Sequence, residues 1–224
     1  MTLEDAIDAT ISKPKQSSSR LDTIADYAIE RLDAMGLPDV AGGSAGELPV
    51  NGLARTKNWD VAYNFVEKPR LLISLKSVWK NASGSVPNRI DDLIGESANV
   101  QQRSPEVVIG YILLFEVGAD SQRRDDNLMW SEHFERAVDA IAIRRSPLWN
   151  QGLLEGAWFI RFDKDRPKGS RVVDPMKTRE TGLKFFRSLL CELELREPAI
   201  PFTRRPDCEP SAAAEGESAE DIPI

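Results

Sequence analysis

The chain alternates between segments that keep apolar residues on one helical face and short runs of strand-forming residues. In SSSRLDTIADYAIERLDAMG, Leu21, Ile24, Ala25, Ala28 and Leu32 recur at helical spacing. The serines ahead of them offer N-caps and Gly36 supplies a stop, so the pattern predicts a helix, preceded by an N-terminal segment (1–19) with room for a short one. Residues 37–52 are rich in Gly and Pro and read as a loop with a short strand near 48–50. Residues 61–66 and 70–77 read as two strands joined at Glu67-Lys68-Pro69. After a flexible loop at 81–86, Pro87 suits a first helical turn, and 88–102 carries Ile90, Leu93, Ile94, Ser97 and Ala98 on one face. The run 107–117 (VVIGYILLFEV) is apolar throughout and too short for a membrane helix, which predicts a strand buried on both faces at the centre of a sheet. An amphipathic helix at 128–144, an alternating strand at 155–162 and a helix at 174–195 follow, the last with Met176, Leu183, Phe186, Leu189 and Leu190 inward. The order α, β, β, α, β, α, β, α predicts one α/β domain over 20–205, a mixed sheet flanked by helices.

Composition narrows the chemistry. A chain of 224 residues suits a single domain with its own core. No apolar run reaches membrane-spanning length, and MTLEDAIDAT lacks the basic-then-apolar order of a secretory leader, so a cytoplasmic protein with no membrane partner is expected. Cys191 and Cys208 lie far apart with no histidine near either, which argues against a disulfide framework or a thiolate metal site. The one histidine, His133, falls in a helical pattern, which argues against a catalytic triad. Carboxylates and lysines are left to carry any chemistry. The net charge of −7 is concentrated in residues 206–224, which hold six acids and no base in a Pro-, Ala-, Ser- and Glu-rich segment expected to be disordered. The body is nearly neutral, with basic clusters at Arg123–Arg124, Arg144–Arg145 and from Lys164 to Arg171, which form a nucleic-acid groove only if they share a face.

Residues 58–77, NWDVAYNFVEKPRLLISLKS, place one acid and one lysine at the two ends of a hairpin. Either the charges are ordinary solvated groups on an edge hairpin, or Asp60 and Lys76 belong to a metal-dependent site. A hairpin that begins at an acid and ends at Leu-Lys, followed by a crossover helix and a buried strand, resembles the core of the PD-(D/E)xK nucleases. Downstream, Lys76-Ser77, a Gly/Ser/Asn-rich loop, Asn88-Arg89, Asp91-Asp92, Gly95 and Gly110-Tyr111 are similar to the XhoI-like type II restriction endonucleases. The likeness covers residues 58–116.

That resemblance implies a restriction-endonuclease-like fold and Mg2+-dependent hydrolysis of double-stranded DNA by a homodimer. Asp60 would hold the metal, and Lys76 would orient the attacking water and balance developing charge. The family's second acid falls at Ser74, a poor anionic ligand. Some restriction enzymes supply the missing carboxylate from the next helix, where this sequence offers Asp91, Asp92 and Glu96. Helical spacing sets Asp92 and Glu96 on a face opposite Ile90, Leu93 and Ile94. Glu96 is preferred, Asp92 comes second, and Glu30 is a further ligand through an outer water. Lys57, Lys80, Arg89, Lys168 and Arg171 are the candidate DNA contacts, while Arg89 could equally pair with Asp92. The five tryptophans read as core or rim packing. Two other functions stay open: a catalytically silent DNA-binding or regulatory member of the fold, and an RNA- or nucleotide-directed defence protein.

Overall fold

A computed structural model describes residues 1–14, 17–147 and 149–208. Its elements run α1 (Leu3–Ser12), α2 (Asp22–Ala34), β1 (Ala41–Gly42), β2 (Leu48–Asn51), β3 (Thr56–Trp59), β4 (Val61–Phe65), β5 (Lys68–Val78), α3 (Ala82–Gln101), β6 (Val108–Glu116), α4 (Trp130–Ile141), β7 (Gly156–Phe162) and α5 (Pro175–Arg196). The fold is mixed α/β. A five-stranded sheet has the order β1-β4-β5-β6-β7, and β2 and β3 form a separate two-stranded ribbon. β4 pairs antiparallel with β1 and β5, whereas β5, β6 and β7 run parallel, with α3 crossing from β5 to β6. The middle strand is therefore β5, not the apolar β6, although all nine residues of β6 are buried as its composition requires.

The two faces of the sheet bury different sets of residues. On one side Leu71, Ile73, Leu75, Ile112 and Leu114 pack with Ile7 of α1, Ile24 and Leu32 of α2, and Phe185, Leu189 and Leu193 of α5. On the other, Leu72, Val78, Ile109, Tyr111 and Leu113 pack with Val86, Leu93 and Val100 of α3, Phe134 and Val138 of α4, and Val50 and Trp59 of the ribbon. Because side chains alternate along a strand, Ser74 and Lys76 share the α3 side with Leu72 and Val78. At Gly110 a Cβ would sit 2.7 Å from Leu189 Cδ1 and 2.9 Å from Phe185 Cζ, so glycine lets α5 lie close on β6.

Several expectations are corrected. The hairpin turn is Val66-Glu67, both at positive φ (50° and 58°), and Lys68 already pairs with Phe65. The Asn-Gly signature that marks such a turn is missing here, which is why the sequence pointed one residue too late. Helix α3 starts at Ala82, because burial of Ala82 and Val86 against the sheet overrides the loop-like composition of 81–86 and leaves Pro87 inside the helix. On α5 the inward residues are Phe185, Phe186, Leu189, Leu190 and Leu193, while Met176 is 85% and Leu183 53% exposed.

The two cysteines also depart from expectation, forming a disulfide with Cα atoms 5.6 Å apart. Residues 197–208 fold back along α5 to make it: Ile200 is buried, Thr203 N–H donates to the Gly36 carbonyl at 2.9 Å, and Arg205 pairs with Glu194 at 2.7 Å. The expected disordered tail therefore does not begin at 206, and its remainder, 209–224, lies outside the described residues. No described helix is long and apolar enough to cross a membrane.

Candidate active site

Asp60 occupies the bend between β3 and β4, and its position is set from two sides. Gly43 N–H donates to its carbonyl at 3.0 Å, and Gly42, at φ +130°, approaches so closely that a Cβ would lie 2.1 Å from that oxygen. Asp26 of α2 holds this corner by accepting from Ser44 N–H at 2.8 Å and from its hydroxyl at 2.5 Å. Toward the sheet, Asp60 Oδ2 accepts from Leu75 N–H at 2.8 Å, so the carboxylate is fastened to β5 between Ser74 and Lys76. Burial pushes the Asp60 carboxyl above its usual range, with the Leu75 amide and the ammoniums of Lys76 and Lys57 acting against it.

Glu96 comes down on this spot from α3. It is 9% exposed and lies on the buried face with Leu93, Ser97 and Val100, while Ile94 is 41% exposed. The expected opposition between Glu96 and Leu93 is thus reversed. The carboxylate tolerates burial because two ammoniums meet it, and its oxygens are divided between them: Lys76 Nζ lies 3.3 Å from Oε1, and Lys57 Nζ closes on Oε2. Lys57 Nζ also donates to Ser74 Oγ at 3.2 Å and stands 4.2 Å from the centre of the Trp59 ring. Burial, then the nearby Lys76, push the Lys57 ammonium below its usual pKa, with Glu96 opposing.

Tyr111 is the member that sequence reasoning missed. It stands opposite Ser74 in the β5–β6 register, is 2% exposed, and its hydroxyl has no hydrogen-bond partner among the described residues. Burial raises its pKa well above the usual value, with Arg89 opposing and Glu96, Asp92 and Asp60 adding to the rise. It is therefore a phenol that can donate. Gly110-Tyr111 belongs to the run that carries the family resemblance, and nothing in the strand's apolar pattern singles out the tyrosine hydroxyl.

The other candidates are scattered. Asp92 pairs with Arg89 at 3.1 Å, both half-buried on α3 and both close enough to act on the buried Tyr111. Glu30 accepts from the Met1 amino group at 2.8 Å on α2, the helix that covers the opposite face of the sheet, so it does not join the cluster. Arg171 is tied to Asp8 of α1 at 2.6 Å and through its backbone to Glu4 at 2.8 Å, and is withdrawn from any groove beside α3. Lys80 and Lys168 are exposed, and Lys57 is part of the cluster itself. Arg144, expected within a surface basic cluster, is 2% exposed and pairs with Glu155 at 2.7 Å. Trp79 packs edge-on to Phe162 with its ring centre 3.4 Å from the Arg20 guanidinium carbon, as core rather than as a base platform.

Asp60, Glu96 and the Ser74 hydroxyl offer hard oxygen donors from three separate elements. That set fits a hard divalent ion such as Mg2+, which uses one or two carboxylates and keeps several waters, and does not fit a soft metal. The Lys57 ammonium against Ser74 and Glu96 shows that these oxygens accept a cation. Among the described residues no group of three or more His, Cys, Asp or Glu side chains is placed to hold a metal, so Ser74 and solvent would complete the coordination. The chain matches no known protein family, no curated protein and no solved structure.

Proposed function

We propose that the chain is a Mg2+-dependent endonuclease of the PD-(D/E)xK type, hydrolysing phosphodiesters of double-stranded DNA as a type II restriction enzyme. One observation carries the reading: Glu96, far along α3, meets Lys76 of β5 directly and is linked to Ser74 through the Lys57 ammonium, beside an Asp60 fastened to the same strand. This is the relocated carboxylate that Ser74 calls for. A bound divalent ion supplies charge relief at the phosphate and an acidified water. Asp60 and Glu96 would hold it, with Asp60 aligned by the Leu75 amide. Lys76, braced on Glu96 Oε1, presents an ammonium that orients the attacking water and balances negative charge on the phosphate oxygens. The Tyr111 hydroxyl adds a donor inside the same buried space. Cutting two antiparallel strands at a symmetric site calls for a homodimer.

Supercoiled plasmid incubated with and without Mg2+ tests the reading. The wild type is expected to nick and linearise it only with Mg2+, and Glu96→Gln and Lys76→Ala are expected to lose cleavage while retaining gel-shift binding. Equal loss of binding and cleavage in Lys76→Ala would make Lys76 a phosphate anchor instead. A second reading, DNA binding without cleavage, is favoured by the two lysines that already neutralise Glu96. It expects Mg2+-independent gel shifts and intact plasmid.

A further inference from the structure

We infer that Lys57 is a tethered cation occupying the divalent-cation position, so that a metal ion binds Ser74 and Glu96 only as Lys57 leaves them. The inference rests on the proposed nuclease reading and names the residue that controls loading of its site. Lys57 Nζ touches the Ser74 hydroxyl at 3.2 Å and Glu96 Oε2, the two oxygens that would complete a coordination set with Asp60. Lys76 takes Oε1, so it can stay on Glu96 while Oε2 changes partner. An ammonium and a dication cannot share the same two oxygens, since like charges at contact distance in a half-buried site repel strongly.

The ribbon makes such an exchange feasible. Lys57 belongs to β3, which pairs only with β2 (Lys57 opposite Val50) and not with the five-stranded sheet that fixes Ser74 and Lys76. Four methylenes give the ammonium reach, and the Trp59 ring, 4.2 Å from Nζ, offers a second favourable surface during release. Once released beside a loaded site, the ammonium suits a phosphodiester oxygen. A DNA phosphate therefore stabilises the released state, and metal and substrate should bind cooperatively.

Two measurements test this without relying on cleavage. Calorimetric titration with Mn2+ is expected to show Lys57→Met binding about tenfold tighter than the wild type, a shift of ~1.4 kcal/mol. Glu96→Gln is expected to lose the site. In the unaltered chain, brief acetic anhydride labelling read by mass spectrometry is expected to modify Lys57 several-fold faster with saturating Mg2+, with Lys80 as the unaffected reference. This readout survives even if Lys57→Met fails to fold. Mn2+ binding that depends on Glu96 but is unchanged or weaker in Lys57→Met, with no Mg2+ effect on Lys57 labelling, would overturn the exchange and leave the metal site standing. No Mn2+ binding in either the wild type or Lys57→Met, with unchanged labelling, would overturn both the exchange and the metal-dependent reading.

Discussion

Two of the buried charge clusters, around Glu155 and around Glu96, treat charge differently. Around Glu155, which is wholly buried, Oε1 accepts from Arg144 at 2.7 Å and Arg196 at 2.8 Å, and Oε2 accepts from Ile109 N–H at 2.5 Å. The guanidiniums spend their other donors on the Val107 and Trp149 carbonyls and on Glu192. Around Glu96 the partners are lysines, flexible and single-pointed, with a buried tyrosine hydroxyl left over. Planar forks that fill every acceptor fix a structure, whereas ammoniums on long stems can exchange partners. The first cluster reads as a clasp joining β7, α5 and the loop before β6, and the second as the candidate site, whose ammoniums can change partners.

The largest expected effect tests the clasp. Glu155→Gln leaves two buried guanidiniums facing a neutral amide and should cost about 3–5 kcal/mol in urea unfolding, without altering DNA binding per folded molecule. The disulfide pins the chain after Arg196 back onto α5, closing a loop with a sequence separation of 17. Removing it with Cys191→Ser and Cys208→Ser should cost about 3 kcal/mol by the same measurement. A truncation after Arg205 should cost a similar amount.

Glu96→Gln should behave oppositely to Glu155→Gln. A neutral amide between two lysines whose long stems let their ammoniums turn toward solvent should cost only about 1–2 kcal/mol, while plasmid cleavage disappears. Comparable stability losses in the two variants would erase the distinction between clasp and site.

A smaller effect, of opposite sign, is expected at Asp60. Its folded-state pKa is raised, so the ionised carboxylate opposes folding at neutral pH, and that penalty fades as pH falls through the raised folded value toward the unfolded one. Asp60→Asn should therefore be the more stable protein at pH 7 by thermal unfolding. Its advantage should shrink on acidification and vanish below the unfolded aspartate pKa of about 3.9. Metal binding should be lost at every pH. The smallest effect belongs to Tyr111→Phe: deleting an unpartnered buried hydroxyl should leave the metal-free protein unchanged or up to ~1 kcal/mol more stable. The same variant should weaken DNA binding in the presence of Ca2+, measured by gel shift.

By itself the sequence determined the elements whose cause is local. The periodicity of 21–32 made α2, the unbroken apolar run made β6, the alternation in 155–162 made β7, and together they specified a mixed α/β sheet. It also brought Asp60, Ser74 and Lys76 together, because a hairpin fixes the distance between its two ends, and it nominated Glu96. The tertiary structure decided what depends on meetings between distant segments. Glu96 faces inward beside Leu93 because Lys57, 39 residues away, compensates its burial. Arg144 is buried because Glu155 and the Val107 carbonyl await it. The two cysteines join because Ile200 and Thr203 dock the returning chain near the end of α2. Periodicity reports which residues avoid water on average, but a buried charge is permitted only by its partner, and the partner's position is a property of the fold.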